Sequence, residues 1–325
     1  MIFRNGYILR DGFPFASNTN PANIYDAIVI KPSGETCWSP RYPGFSHSID
    51  EYIEFVNKHS LSKAIIIANN IEFLKECPTL KYLRIIPSDS SDNNFDFSPI
   101  YQRNGIVSLD CSTSYGVNFQ KNTSIDYSNI KGVVMLNIYD SGHLNTNSIN
   151  TLKTLSVGRN REKNLFNLFG SNCLETLQIV DSSIVELNGI EQSNKLQLLE
   201  LEYNRRLCDI SALQQVKSTL KCLIIKNCPK IKDFSVLEKL EALESLVIRG
   251  KNELPDLSFL NYMKNLKMFA FDVNILNGDL TPCFNIQHVF CARNRKHYNF
   301  NNTSLPKSDT PYNRGYEGVE IWRQF

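Results

Sequence analysis

The chain has 325 residues, 42% of them hydrophobic, with 35 basic against 33 acidic side chains and a formal net charge of +2. That is enough apolar material for a large packed interior, which excludes a disordered chain. It is also too little net charge to draw the chain onto phosphate backbones, so nucleic acid is not an expected partner. No apolar run reaches the roughly 18 residues needed to cross a bilayer, and no membrane association is expected.

From the N-terminus, MIFRNGYILRDGFPFASNTNP places charges and glycines where a secretory signal needs an unbroken apolar core, which favours a cytoplasmic location. The nine cysteines are odd in number and scattered, unlike a disulfide framework, and read as buried free thiols in a reducing compartment. Residues 1–60 then offer a strand in YDAIVIKP, Tyr25 to Pro32, and a helix over residues 48–57. Ser48 and Glu51 have the spacing of a capping box, and Ile49, Tyr52, Ile53 and Val56 line one helical face.

Beyond Leu61 one frame recurs. Its strong copies begin at Leu152, Leu174, Leu196, Leu220, Leu243 and Leu266, each with apolar residues at the first, fourth and sixth positions. Weaker copies begin at Leu61, Leu80, Ile106, Val133 and Ile286, and the step between copies is 19 to 27 residues. Residues such as Leu223 and Ile225 alternate along a strand and so share a face, while Leu220 fills the adjoining interior. One such coil cannot bury its apolar side alone, whereas stacked coils make a continuous core. The ninth position is Asn69, Ser88, Ser114, Ser141, Asn160, Ser182, Asn204, Cys228, Lys251, Asn274 and Asn294. A small buried polar group there satisfies backbone atoms that have lost their ladder partners. Lys251 breaks the pattern, and Asn252 takes over through a one-residue bulge.

This frame and period resemble the leucine-rich-repeat family, over roughly residues 61–303. Three coils also carry Asp209-Ile210-Ser211, Asp233-Phe234-Ser235 and Asp256-Leu257-Ser258 followed by a packing leucine. That signal is similar to the internalin-like, 22-residue class, whose outer side is built from short 3₁₀ segments. The resemblance implies an α/β fold: a right-handed solenoid of about eleven coils with a parallel sheet on its concave side. Residues 1–60 are expected to be an N-terminal cap and 304–325 a C-terminal cap, with Trp322 and Phe325 sealing apolar surface. The polar insertions SDSSDNNFDFSP and SYGVNFQKNTSIDYSN read as surface slack or as a binding rim.

Catalytic strings are absent: there is no G-x-S-x-G, no G-x-x-x-x-G-K-S/T, no H-E-x-x-H and no G-x-G-x-x-G. The nearest metal pattern, Cys283, His288, Cys291 and His297, falls on opposed strand directions, so no cofactor or metal is expected. The outward strand positions remain as a recognition surface. Tyr82, Arg84, Tyr139, Leu198, Glu200, Glu202, Ile224, Lys226, Val247, Arg249 and Phe290 mix apolar anchors with isolated charges, as suits a folded protein partner. The expected function is a non-enzymatic module that captures such a partner. The alternatives are a multi-partner scaffold, an adhesin-like surface protein, and a hydrolase using Glu200 and Glu202 as paired carboxylates.

Overall fold

The structure is a computed structural model that describes residues 7–16, 27–35, 47–88, 95–111, 124–139, 143–170 and 172–307. Two compact units make up the chain, one running through Leu152 and the other beginning at Lys153. The expected C-terminal strand with Trp322 and Phe325, and much of both polar insertions, lie outside the described residues.

In the first unit, β1 (Tyr7–Arg10) and β2 (Phe13–Ala16) form an antiparallel hairpin. Its turn is Asp11-Gly12, both at positive φ (49° and 88°), the twist that suits a two-residue hairpin. The D-G pair is a legible signal that the repeat-centred reading passed over. β3 (Ala27–Ile30) pairs antiparallel with β2 and parallel with β4 (Lys63–Ala68), the crossover being α1 (Ile49–Lys58). The capping box forms as its spacing predicts: Glu51 N donates to Ser48 Oγ at 3.3 Å, and Ser48 N donates to Glu51 Oε2 at 2.6 Å. Tyr52, Phe55 and Val56 are the buried residues of this helix.

Parallel pairing continues through β5 (Tyr82–Pro87), β6 (Ser108–Asp110) and, after the two-residue β7 (Ile125–Asp126), β8 (Met135–Tyr139). β7 makes its own short ladder with β9 (His143–Leu144). At the end of the first insertion a helical turn, α2 (Ser98–Tyr101), leads to Arg103, which is buried. Its guanidinium donates to the carbonyls of Leu74, Cys77 and Leu80. Arg103, just beyond the insertion SDSSDNNFDFSP, thereby closes backbone left open where a 3₁₀ turn ends.

The second unit repeats one plan. Its main strands are β10 (Thr154–Gly158), β11 (Thr176–Val180), β12 (Leu198–Glu202), β13 (Cys222–Lys226) and β14 (Ser245–Arg249). After the short β15 (Glu253–Leu254), β16 (Met268–Phe271) continues the sheet; the short β17 (Asn274–Ile275) pairs with β15, and β18 (His288–Cys291) pairs with β16. Every pairing among these strands of the second unit is parallel. In both units a strand starts at the third residue of each frame copy. The fourth-position residues Leu155, Leu177, Leu199, Leu223, Leu246 and Phe269 stand in one register row and are fully buried. Each such side chain contributes about 1.5–3 kcal/mol relative to exposure.

After β10, β11, β12, β13 and β14 the chain turns at the eighth frame position in a left-handed conformation: Arg159 (φ 49°), Asp181 (47°), Tyr203 (56°), Asn227 (54°) and Gly250 (127°). The frame shows no residue preference there, so the sequence did not disclose this bend. Gly250 is the one position among them that only glycine fits comfortably, because a Cβ would lie 3.1 Å from Asn227 Cα. The ninth position then behaves as expected. Asn204 accepts from Ser182 N at 2.9 Å and donates to Ile179 O at 2.8 Å, and Cys228 donates through sulfur to Lys226 O at 3.4 Å. Lys251 is exposed, and the buried Asn252 donates to Cys228 O and Ile231 O, both at 2.9 Å.

The predicted Asp-x-Ser turns are 3₁₀ helices at Ser211–Val216, Ser235–Lys239 and Ser258–Tyr262. In each the aspartate accepts from the serine N–H at 2.7–2.8 Å. Thr281–Asn285 is a fourth turn of the same kind, with Asp279 accepting from Thr281 N at 2.9 Å. Among the described residues no helix is long and apolar enough to cross a membrane.

Candidate functional site

On the second unit's sheet the register sorts outward residues into three rows. The third-position row contains Thr154, Thr176, Leu198, Cys222, Ser245 and Met268, and all are buried. Strands lie about 4.8 Å apart, so small and medium side chains at this row cover one another. Leu198 is 2% exposed, which corrects its expected role as an accessible anchor. An aspartate there would have to bury charge, so it would test the fold and not recognition.

The fifth-position row runs Gln178, Glu200, Ile224, Val247, Ala270 and Phe290 in register. Glu200 is 0% exposed and is held from both sides: Gln178 Nε2 donates to Oε2 at 3.0 Å and Lys226 Nζ to Oε1 at 2.6 Å. Ser156 extends the chain by donating to Gln178 Oε1 at 2.8 Å. The acidic spot expected at Glu200 is therefore neutralised inside the sheet face and not offered to solvent. Ile224 and Val247 remain half-buried, and Phe290 is 48% exposed. In the seventh-position row, Glu202, Lys226 and Arg249 lie on successive strands, with Arg249 exposed.

The first unit positions Tyr82, Arg84 and Tyr139 on its own sheet, all half-buried. Lys63 Nζ lies 5.6 Å from the Tyr82 ring centroid, a cation–π contact, and Arg84 Nε is 3.6 Å from the buried Asp110 carboxylate. A cleft of about 410 Å³, unforeseen from sequence, lies beside the start of α1 and is lined by Pro32, Glu35, Ile49, Asp50, Ile53 and Phe73 among others. Its acids are already engaged in part: Glu35 accepts from Asn69 N at 3.1 Å and from the Ser88 hydroxyl, and Glu72 pairs with Lys75.

The paired-carboxylate reading loses its geometry, since Glu200 is bonded to a lysine and an amide and Glu202 stands two residues along the same strand. Burial pushes the thiols of Cys222 and Cys228 up to about 11, away from nucleophilic use at neutral pH. In the Cys/His cluster, Cys291 bonds Arg293 O at 3.3 Å, and a ring nitrogen of His297 lies 2.9 Å from Ile275 O. Among the described residues no group of three or more His, Cys, Asp or Glu side chains is placed to hold a metal, and all cysteines are free thiols.

No family model and no curated protein matches the sequence. Solved structures do: an internalin, inlF, from Listeria monocytogenes str. 4b F2365 is 18% identical with a TM-score of 0.50, covering 71% of this chain and 66% of that one. The fold is that of a leucine-rich-repeat protein. The functional domain of InlJ from Listeria monocytogenes, described as including a cysteine ladder, is 16% identical with a TM-score of 0.47, covering 69% of this chain and 50% of its own. This chain thus matches less than two thirds of the length of either. The repeat fold also corrects the cytoplasmic expectation, because internalin-like repeat proteins are typically surface-displayed or secreted. A charged N-terminal stretch and scattered thiols do not by themselves decide a compartment.

Proposed function

We propose that this leucine-rich-repeat chain is a non-enzymatic protein-binding module, and that the outward sheet face of its second unit captures a folded partner. The observation that carries the reading is the row of Ile224, Val247 and Phe290, apolar and partly accessible, beside the charged row of Glu202, Lys226 and Arg249. Apolar side chains supply desolvated contact, and flanking charges set orientation and reject poor partners. Tyr82, Arg84 and Tyr139 supply a similar mixture on the first unit, and residues 1–60 act as a shield for the open end of its core. The lack of catalytic strings and the internal neutralisation of Glu200 favour binding over hydrolysis.

A photo-crosslinking residue in place of Val247, introduced in the native cell, tests this directly. A single protein adduct is expected at that position and none at Tyr262, which is exposed on a 3₁₀ turn. The adduct should vanish when Ile224→Asp is added. Equal labelling at both positions, or an adduct indifferent to Ile224→Asp, would remove the assignment.

A further inference from the structure

The sequence contains four Asn-Gly pairs, at residues 5–6, 104–105, 188–189 and 277–278, and the structure describes the last three. An asparagine followed by glycine is open to attack by its own backbone, because the second residue has no Cβ to hinder its amide nitrogen from reaching the asparagine side-chain carbon. The three pairs differ in what surrounds that nitrogen.

Two of them are held. Gly189 N donates to Glu191 Oε2 at 2.9 Å, and the glycine is buried so closely that a Cβ there would lie 2.6 Å from Phe166 N. Gly278 N donates to Ile275 O at 3.1 Å, Asn277 Oδ1 accepts from Asp279 N at 3.0 Å, and a Cβ on Gly278 would collide with His297 O. Attack at either pair requires these bonds to break and packed backbone to part first. Asn104 and Gly105 are both exposed. Among the described residues no hydrogen bond holds the Asn104 amide or the Gly105 N–H, and nothing beyond the adjoining residues lies within 4 Å of where a Gly105 Cβ would stand.

We infer that Asn104 is a site of spontaneous covalent modification, deamidation to isoaspartate and aspartate, and that isoaspartate there loosens the coil beside it. The Gly105 amide nitrogen, having lost its proton to hydroxide, bonds to Asn104 Cγ; the Cγ–Nδ2 bond breaks, ammonia leaves and a cyclic imide remains. Water then adds to one of the two imide carbonyls, and ring opening gives aspartate or isoaspartate with no change of oxidation state. The neighbours make the isoaspartyl product costly. Arg103 is buried and donates to the carbonyls of Leu74, Cys77 and Leu80, and Ile106 is fully buried. Isoaspartate adds one main-chain atom between these two fixed points, so one of them must shift.

The experiment incubates the folded full chain at mildly alkaline pH and follows each Asn-Gly peptide by mass spectrometry, with fragmentation that separates isoaspartate from aspartate. Asn104 is expected to convert at least about tenfold faster than Asn188 or Asn277. In urea strong enough to unfold the chain, the three rates should come within about threefold of one another, since the bonds that protect Asn188 and Asn277 are gone. Thermal unfolding of the aged chain should show a second, lower midpoint whose amplitude follows the isoaspartate content. Asn104→Gln, whose longer side chain must close a larger ring, should gain no such component when aged in parallel. Conversion of folded Asn188 or Asn277 as fast as Asn104, or a preference for Asn104 that persists undiminished in urea, removes the structural assignment. An Asn104 that stays intact in the folded chain yet converts in urea overturns the site. An isoaspartyl chain that melts with the fresh protein overturns the loosening of the coil.

Discussion

Asn204 shows how much one buried amide can settle. Its oxygen accepts from Ser182 N and its nitrogen donates to Ile179 O, so it ties two coils together where the backbone leaves its ladder. Asn204→Ala orphans a buried donor and a buried acceptor, each worth roughly 1–3 kcal/mol. The expected outcome is a lower urea midpoint with an unchanged slope, a loss of about 2–6 kcal/mol in total. Lys226 presents the electrostatic counterpart, since its ammonium lies 2.6 Å from the buried Glu200 carboxylate. Lys226→Met keeps the length of the side chain and removes the charge, and about 2–3 kcal/mol of stability should go with it. Glu200→Gln in the same background should recover part of the loss by removing the stranded charge. Failure of that recovery in a double-mutant cycle would show that the pair is not coupled. Frame position made Asn204 legible, because a small polar residue recurs at that phase. Nothing in the sequence marked Glu200 as buried, since Gln178 and Lys226 lie 22 and 26 residues away along the chain.

At the level of the element, the coils of β12, β13 and β14 share a strand, a left-handed bend and a 3₁₀ turn begun by an aspartate. Hydrogen bonds from Ser258 and Ser235 hold Asp256 and Asp233 below the ordinary aspartate value of 3.8, and those from Thr281 and Asn299 do the same for Asp279. A carboxylate whose folded value is depressed stabilises the native state above its unfolded value. That contribution is lost as pH falls through the folded value. Stability measured by urea unfolding should therefore decline from about pH 4 downward, and Asp233→Asn/Asp256→Asn/Asp279→Asn should flatten the decline while retaining the caps. An unchanged slope would place the acid sensitivity elsewhere. The Asp-x-Ser spacing made three of these turns readable; the fourth escaped because Asp279-Leu280-Thr281 replaces serine with threonine. The bend before them stayed hidden, because arginine, aspartate, tyrosine and asparagine share no side-chain chemistry and meet only in their backbone conformation.

Across each whole unit, stability passes between neighbouring coils. Leu223 sits in a buried row with Leu199 on one side and Leu246 on the other. Leu223→Ala opens a cavity and should cost about 2–5 kcal/mol. In a nearest-neighbour solenoid the effect is graded, so amide hydrogen exchange should rise most in β12, β13 and β14 and least in β10. A uniform rise through the unit would instead mean that it opens as one block. The same coupling explains why the surface had to be read from the fold. Exposure of any outward residue depends on side chains one coil away, and the two rows nearest the strand start are filled by neighbours of very different size.

Sequence by itself determined the strand phase and the inward set: a period of two within each strand and of about 22 between coils leaves no other way to bury Leu155, Leu177, Leu199, Leu223, Leu246 and Phe269 together. It also fixed the capping box of α1 and the polar ninth position, because both are short-range hydrogen-bond problems with few chemical solutions. Tertiary structure alone decided that Leu198 and Glu200 are covered while Ile224 and Val247 stay half-buried. Those outcomes depend on contacts between residues more than twenty positions apart, brought within a rung spacing only when the coils stack.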